Sequence, residues 1–156
     1  MLEIRNVMVE DIDHFKEVVK SSIMVLCKDY YSEEQLEALL KQYPTAALYK
    51  RWINERVLIV AEMDSKVIGF AQFDPAISTI EAVHVLPEYT RLGVGRDLIG
   101  EIEKIAREKD IKKIILDSSI NAEAFYAQCG YTNKGAGIVK CNNGVELETM
   151  SFEKKL

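Results

Sequence analysis

The stretch LPEYTRLGVGRDLIGEIEKIA, residues 86 to 106, sets Gly93 and Gly95 one residue apart between a strand-like run and a helix-like run. The first turn of a helix carries unpaired N–H groups and the positive end of the helix dipole. A corner nearly free of side chains at that point therefore offers a seat for phosphate. Arg91 and Arg96 flank the corner and could bring charge to a phosphate; the alternative for both is a solvated surface position. Two phosphate-binding patterns fit poorly. A dinucleotide turn wants G-x-G-x-x-G directly after a strand, but the third position is Leu98, Pro87 intervenes, and a hairpin precedes instead of a βαβ unit. Gly93 and Gly95 supply two of its glycines, and Asp117, about twenty residues on at the end of a strand, is the best point in its favour. A Walker loop needs Gly-Lys-Ser/Thr, which does not follow.

The elements that must position this corner are legible from periodicity. EIRNVMVEDIDHFKEVVKSSIMVLC reads as a short strand and then a helix from about Asp11, with Ile12, Phe15, Val19 and Leu26 at helical spacing. YSEEQLEALL carries a capping box, Ser32 with Gln35, ahead of the stripe Leu36, Leu39 and Leu40. Thr45, after Pro44, starts a further short helix. RVLIVAEMDSKVIGFAQFD is a hairpin about Asp64, Ser65 and Lys66, and STIEAVHVL is a strand ended by Pro87. From Gly95 a helix presents Leu98, Ile102, Ile105 and Ala106 on one face. IKKIILD reads as a short buried strand, and NAEAFYAQC as a helix stopped by Gly130 and begun by Asn121 as its N-cap. The tail is a hairpin about Asn142, Asn143 and Gly144. The predicted order is β-α-α-β-β-β-α-β-α-β-β, an α/β chain of the α+β type: a mixed sheet with helices on both faces.

At 156 residues, with no linker, repeat or low-complexity segment, residues 1–156 read as a single domain able to bury its own core. The opening is too acidic for a signal peptide, and no apolar run is long enough to span a membrane, so no membrane partner is expected. Cys27, Cys129 and Cys141 are odd in number and lack metal-ligand spacing. We read them as reduced thiols of a cytoplasmic protein with no metal. A net charge of −5 argues against nucleic acid as a partner and favours a cationic one.

VHVLPEYTRLGVGRDLI resembles the coenzyme A motif of the GNAT superfamily of N-acetyltransferases, where a strand ending in V-x-P leads to Q/R-x-x-G-x-G/A at a helix start. SSINAEAFYAQCGY resembles the family's second signature, S-x-N-A-x-x-F-Y-x-x-x-G-F/Y. The two lie in family order, one helix and one strand apart, while DYYSEEQLEALL resembles one uncharacterised bacterial branch much less specifically. One departure is Thr90, which stands at the Q/R position beside Arg91 and puts a polar contact in question. The resemblance implies a GNAT-like fold: a central, mostly antiparallel sheet of about seven strands with a splayed parallel pair, helices on both faces. It also implies acetyl-CoA (coenzyme A) as cosubstrate and an amine-bearing acceptor, a small molecule or a peptide. A homodimer is left open.

By the same resemblance, the backbone of Arg91, Leu92, Gly93, Val94, Gly95 and Arg96 would bind the pyrophosphate. Val83, His84 and Val85 would offer a bulged strand edge to the pantetheine arm and the thioester carbonyl. Asn121 and Phe125 complete the coenzyme contacts, and Tyr126 takes the place of the hydroxyl donor to the coenzyme sulfur. An amine with a pKa near 10.4 needs a proton acceptor. Glu81 leads for that task, directly or through water, and His84 follows. Each has a plainer alternative: Tyr126 as a packing residue beside Phe125, Glu81 as an exposed strand carboxylate, His84 as a satisfied half-buried histidine. His14 reads as a surface residue, and Tyr30, Tyr31 and Trp52 either line an acceptor pocket or pack in the core. The expected activity is acetyl transfer to a primary amine by direct attack in a ternary complex. The alternative is a non-catalytic module that binds or senses acyl-CoA.

Overall fold

In the computed structural model, which describes residues 1–156, strand β1 (Leu2–Asn6) passes through a 3-10 turn into α1 (Ile12–Leu26). Helix α1 buries the stripe Ile12, Phe15, Val18, Val19, Ser22 and Ile23. At its start the buried Asp11 accepts the Met8 N–H at 2.7 Å and pairs with Arg5 at 2.8 Å. Helix α2 (Glu33–Lys41) opens on the expected capping box: Ser32 Oγ accepts the Gln35 N–H at 3.2 Å and Gln35 Oε1 accepts the Ser32 N–H at 2.9 Å. Helix α3 (Ala46–Trp52) is capped by Thr45.

Strands β2 (Val57–Met63) and β3 (Lys66–Asp74) form a hairpin whose two turn residues, Asp64 and Ser65, both have positive φ, as a two-residue turn of right-handed twist requires. Strand β4 (Thr79–Val85) leads to α4 (Val94–Glu108), β5 (Lys113–Ser119), α5 (Glu123–Gln128), and the final hairpin of β6 (Thr132–Lys140) and β7 (Glu146–Lys155). The seven strands form one sheet in the order β1-β2-β3-β4-β5-β7-β6. Every pairing is antiparallel except β4–β5, so the mixed architecture and the parallel pair are both present.

Each face of the sheet carries its own core. Leu58, Val60 and Phe70 meet α1, α2 and α3 on one side, with the Phe15 and Phe70 rings stacked at 4.2 Å. Ile59, Ala61, Ile68 and Phe73 meet Leu98, Ile102 and Ala106 of α4 on the other. Burial on both faces explains why the two hairpin strands read as continuous apolar runs. Two expectations need correcting. Strand β5 is only half buried: Ile114 and Leu116 point inward, but Ile115 is 41 % exposed because α1 lies over β3 and β4 and stops short of β5. On α4, Ile105 sits at the margin, and the inward position goes to Glu103, which pairs with Lys154 at 2.9 Å and accepts the Tyr131 hydroxyl at 3.1 Å.

Candidate active site

The parallel pair β4–β5 has a single ladder position, Thr79 opposite Ile115. Beyond it the strands part, so the β5-facing edge of β4 from Ile80 to Val85 is left without a ladder partner. Strand β4 also carries an extra residue. Gln72 pairs with Ala82 and Phe73 with Ile80, which leaves Glu81 out of register. The bulge expected at Val83–Val85 therefore lies at Glu81. Its effect is to re-aim a side chain. Glu81 reaches Gln72, whose neighbours Ala71 and Phe73 pack on the α4 side, so Glu81 points with Ala82 and His84 toward α1. Val83 and Val85 keep to the α4 side, half-buried against that core.

At the end of β4, Pro87–Tyr89 makes a 3-10 turn that consumes the Thr90 side chain: Thr90 Oγ1 donates to the Pro87 carbonyl at 2.9 Å. Thr90 is thus a turn residue here. Arg91 (φ 64) and Gly93 (φ 86) take left-handed backbone on either side of the exposed Leu92, and Gly93 caps α4. The two glycines serve different needs. Gly93 needs its φ, which other residues adopt at a cost of about 1–2 kcal/mol. Gly95 needs its missing Cβ, which would stand 3.0 Å from the Phe125 ring. Val94, between them, is buried at the start of α4, while Arg91 and Arg96 are exposed with no ion pair. The unpaired amides of the first turn of α4 thus lie beside two unneutralised guanidinium groups.

Helix α5 faces this corner. Asn121 is not its N-cap, as the sequence suggested; it sits within the 3-10 turn Ile120–Ala122, and its buried Oδ1 has no hydrogen-bond partner. Tyr126 is 7 % exposed, with its ring among Phe125, Tyr131 and Phe152 at centroid distances of 5.0, 6.0 and 5.7 Å. Its hydroxyl makes no hydrogen bond within the protein, and burial raises its pKa, with the Cys129 thiol adding to the effect.

On the α1 side, Glu81 Oε2 accepts from the Gln72 amide and stands 3.4 Å from Arg56, leaving Oε1 unengaged. Arg56 lies over Trp52 at 3.7 Å, so Trp52 braces that pair. His84 is tied at both ring nitrogens, Nε2 to the Tyr43 hydroxyl at 2.6 Å and Nδ1 to Ser22 Oγ at 3.2 Å, and burial pushes its pKa down to about 4. His14 lies exposed on α1, away from these groups. Tyr43 and Ser22 escaped the sequence reading. The available signal was Ser22 itself, a hydroxyl on the core-facing stripe of a helix, which must find a partner when buried. A cleft of about 370 Å³ opens where α2 meets the last hairpin, lined by Tyr30, Tyr31, Gln35, Ile120, Glu146 and Glu148 among others.

Comparison with known proteins adds an independent line. The model of the acetyltransferase (GNAT) domain matches residues 27–154. A spermidine N(1)-acetyltransferase from Thermoplasma acidophilum is 29% identical over 118 residues, covering 70% of this chain and 73% of that protein. Among solved structures, a GCN5-related N-acetyltransferase from Rhodopseudomonas palustris superposes with a TM-score of 0.91 at 30% identity, over 99% of this chain and 95% of that one. PaiA N-acetyltransferase from Thermoplasma acidophilum, solved in complex with coenzyme A, superposes with a TM-score of 0.79 at 23% identity, over 100% and 99% of the two chains.

Proposed function

The chain belongs to the GNAT family of acetyltransferases and is an acyltransferase, and from that premise we propose that it moves an acetyl group from acetyl-CoA to a primary amine by direct attack in a ternary complex, with Tyr126 as general acid. The observation that carries this reading is the free edge of β4 running up to the glycine corner of α4. A long anionic thioester needs amides at its pyrophosphate and an open backbone edge along its amide-bearing arm. The corner formed by Arg91, Leu92, Gly93, Val94, Gly95 and Arg96 suits the first need, and the edge through Val83, His84 and Val85 suits the second. The orphaned Oδ1 of Asn121 is an acceptor suited to an amide N–H of the arm, and Phe125 supplies an apolar wall.

The leaving thiolate then meets Tyr126. A phenol of pKa about 10 against a thiol of about 8.5 makes full transfer uphill by about 2 kcal/mol, and burial raises the phenol further. Hydrogen bonding to the charge as it develops is the part Tyr126 plays, with protonation completed late. The amine comes from the α1 side. Glu81 takes its proton by way of water at Oε1, the oxygen that Gln72 and Arg56 leave unengaged. The net charge of −5, the exposed Glu146 and Glu148 beside the cleft, and the spermidine acetyltransferase relative all support a cationic small-molecule acceptor.

The test is acetyl-CoA turnover across a panel holding spermidine, an aminoglycoside, free lysine and a lysine peptide, followed by free thiol and by the mass of the acetylated product. Thiol release with a stoichiometric N-acetyl product is the expected result. A chain that binds acetyl-CoA yet releases thiol with none of these amines would leave it as a binding module.

A further inference from the structure

His84 has both ring nitrogens spoken for, and the direction of its hydrogen bonds follows from the chemistry of its partners. Of Tyr43 and His84, the phenol is the stronger acid and the imidazole the stronger base, so at 2.6 Å the Tyr43 O–H donates to Nε2. The neutral ring must then carry its proton on Nδ1, which donates to Ser22 Oγ at 3.2 Å. The chain Tyr43–His84–Ser22 therefore has one polarity, and it ends on a phenol oxygen with only lone pairs to offer. That oxygen has no other partner in the protein.

Its place also matters. Tyr43 lies between α2 and α3, just before Pro44, whose ring restricts the tyrosine's backbone to extended conformations. Its ring meets the imidazole edge-on, 5.5 Å away, against the side of β4 opposite Val83 and Val85. Burial raises the Tyr43 phenol most, and the nearby Tyr49, Cys27 and Tyr126 raise it further, so the phenol keeps its proton at neutral pH.

We propose that the Tyr43 oxygen receives an N–H of the acceptor amine and so turns the nitrogen lone pair toward the thioester, with His84 as the positioning residue that fixes the Tyr43 proton. This rests on the reading of the chain as an amine acetyltransferase. It gives Tyr43 a direct contact with the acceptor and takes His84 out of the contest for the base, because the ring already accepts a proton-bearing partner at Nε2.

The test compares Tyr43→Phe, His84→Gln, His84→Leu and the double variant Tyr43→Phe/His84→Leu in the full chain, with spermidine as acceptor or, if spermidine is not turned over, the best amine of the panel. Readouts are kcat and KM for the amine, acetyl-CoA affinity by calorimetry, and the thermal midpoint. Tyr43→Phe lowers kcat/KM for the amine roughly ten- to a hundredfold, the range of one hydrogen bond to a nitrogen that becomes positively charged as it attacks, while acetyl-CoA affinity stays within about twofold. His84→Gln keeps an acceptor for the phenol proton and stays near the wild type. His84→Leu falls to the level of Tyr43→Phe, and the double variant falls no further. Unchanged amine kinetics in Tyr43→Phe, losses that add in the double variant, or His84→Gln as impaired as His84→Leu would each overturn the proposal. Should Tyr43→Phe fail to fold, the contrast between His84→Gln and His84→Leu decides alone. A wild-type chain that acetylates no amine removes the function reading and this one with it, whereas an active wild type with an equally active Tyr43→Phe removes only this one.

Discussion

Tyr126 is buried among three aromatic rings yet leaves its hydroxyl without a protein partner, and removing that hydroxyl should therefore cost the fold almost nothing. Tyr126→Phe should keep its thermal midpoint and its acetyl-CoA affinity while kcat falls roughly ten- to a thousandfold, near the range of a single acid–base group. Pre-steady-state thiol release alongside the steady state checks this, and an unchanged chemical step would return Tyr126 to packing. Gly95 behaves differently. A valine there would press on Phe125, where even a Cβ would stand at 3.0 Å, so Gly95→Val should lose about 1–3 kcal/mol of stability as well as acetyl-CoA affinity. Urea unfolding and calorimetry on the same variant separate the two losses. Recovery of stability, without affinity, in Gly95→Val/Phe125→Ala would show that the ring is what the side chain meets.

At the scale of the elements, α2 borders the cleft beside the last hairpin, the side from which the amine is proposed to enter, and is held by three side chains that reach far along the chain. Gln35 Nε2 donates to the Glu146 carbonyl at 2.9 Å, and Gln42 Oε1 accepts the Asn142 N–H at 3.0 Å. Just before α2, the Tyr31 hydroxyl donates to the Glu148 carbonyl at 2.5 Å and accepts the Ile120 N–H at 3.0 Å, so one oxygen clips the ends of β5 and β7 together. Tyr31→Phe strands both backbone groups and should cost about 1–3 kcal/mol. It should also raise KM for the amine more than it weakens acetyl-CoA, which kinetics with each substrate varied in turn would read; equal losses in both would detach α2 from the acceptor side. The capping box was legible because Ser32 and Gln35 satisfy each other within one helical turn. The second bond of Gln35 was not, because its partner lies 111 residues away. The bulge follows the same logic. Nothing local in TIEAVHV says which residue falls out of register, since that depends on how β3 lies beside it, and the bulge falls at Glu81. The glycine corner and the succession of strands, by contrast, are properties of short windows, whereas the predicted order has no place for α3 (Ala46–Trp52), although Thr45 marks its start.

The whole molecule puts two apolar cores on the two faces of one sheet and parts that sheet where the reaction is proposed, so polar groups such as His84 are held at the seam between them. That placement gives the fold a predictable acid response. His84 titrates near 6.5 in the unfolded chain and near 4 when folded, because burial disfavours the imidazolium. Above about pH 6.5 both states hold it neutral, and it contributes no slope. As pH falls from about 6.5 to about 4 the unfolded chain takes up a proton that the folded chain refuses, so stability declines by about 1.4 kcal/mol per pH unit, to a total of at most about 3 kcal/mol because the residue as a whole is only half-buried. Asp11 acts lower on the scale. Its carboxyl is held below the ordinary value, first by Arg5, so the stability it brings is complete above about pH 4 and is lost only as pH falls through its folded value. The two groups therefore own separate windows. Urea unfolding of the wild type between pH 7.5 and 4.5 should show the His84 slope, and His84→Leu should flatten it whatever its stability at neutral pH. Parallel curves for the two proteins would mean that the imidazole takes up its proton in the folded state as readily as in the unfolded chain, and that the seam holding it is wetter than its two hydrogen bonds imply.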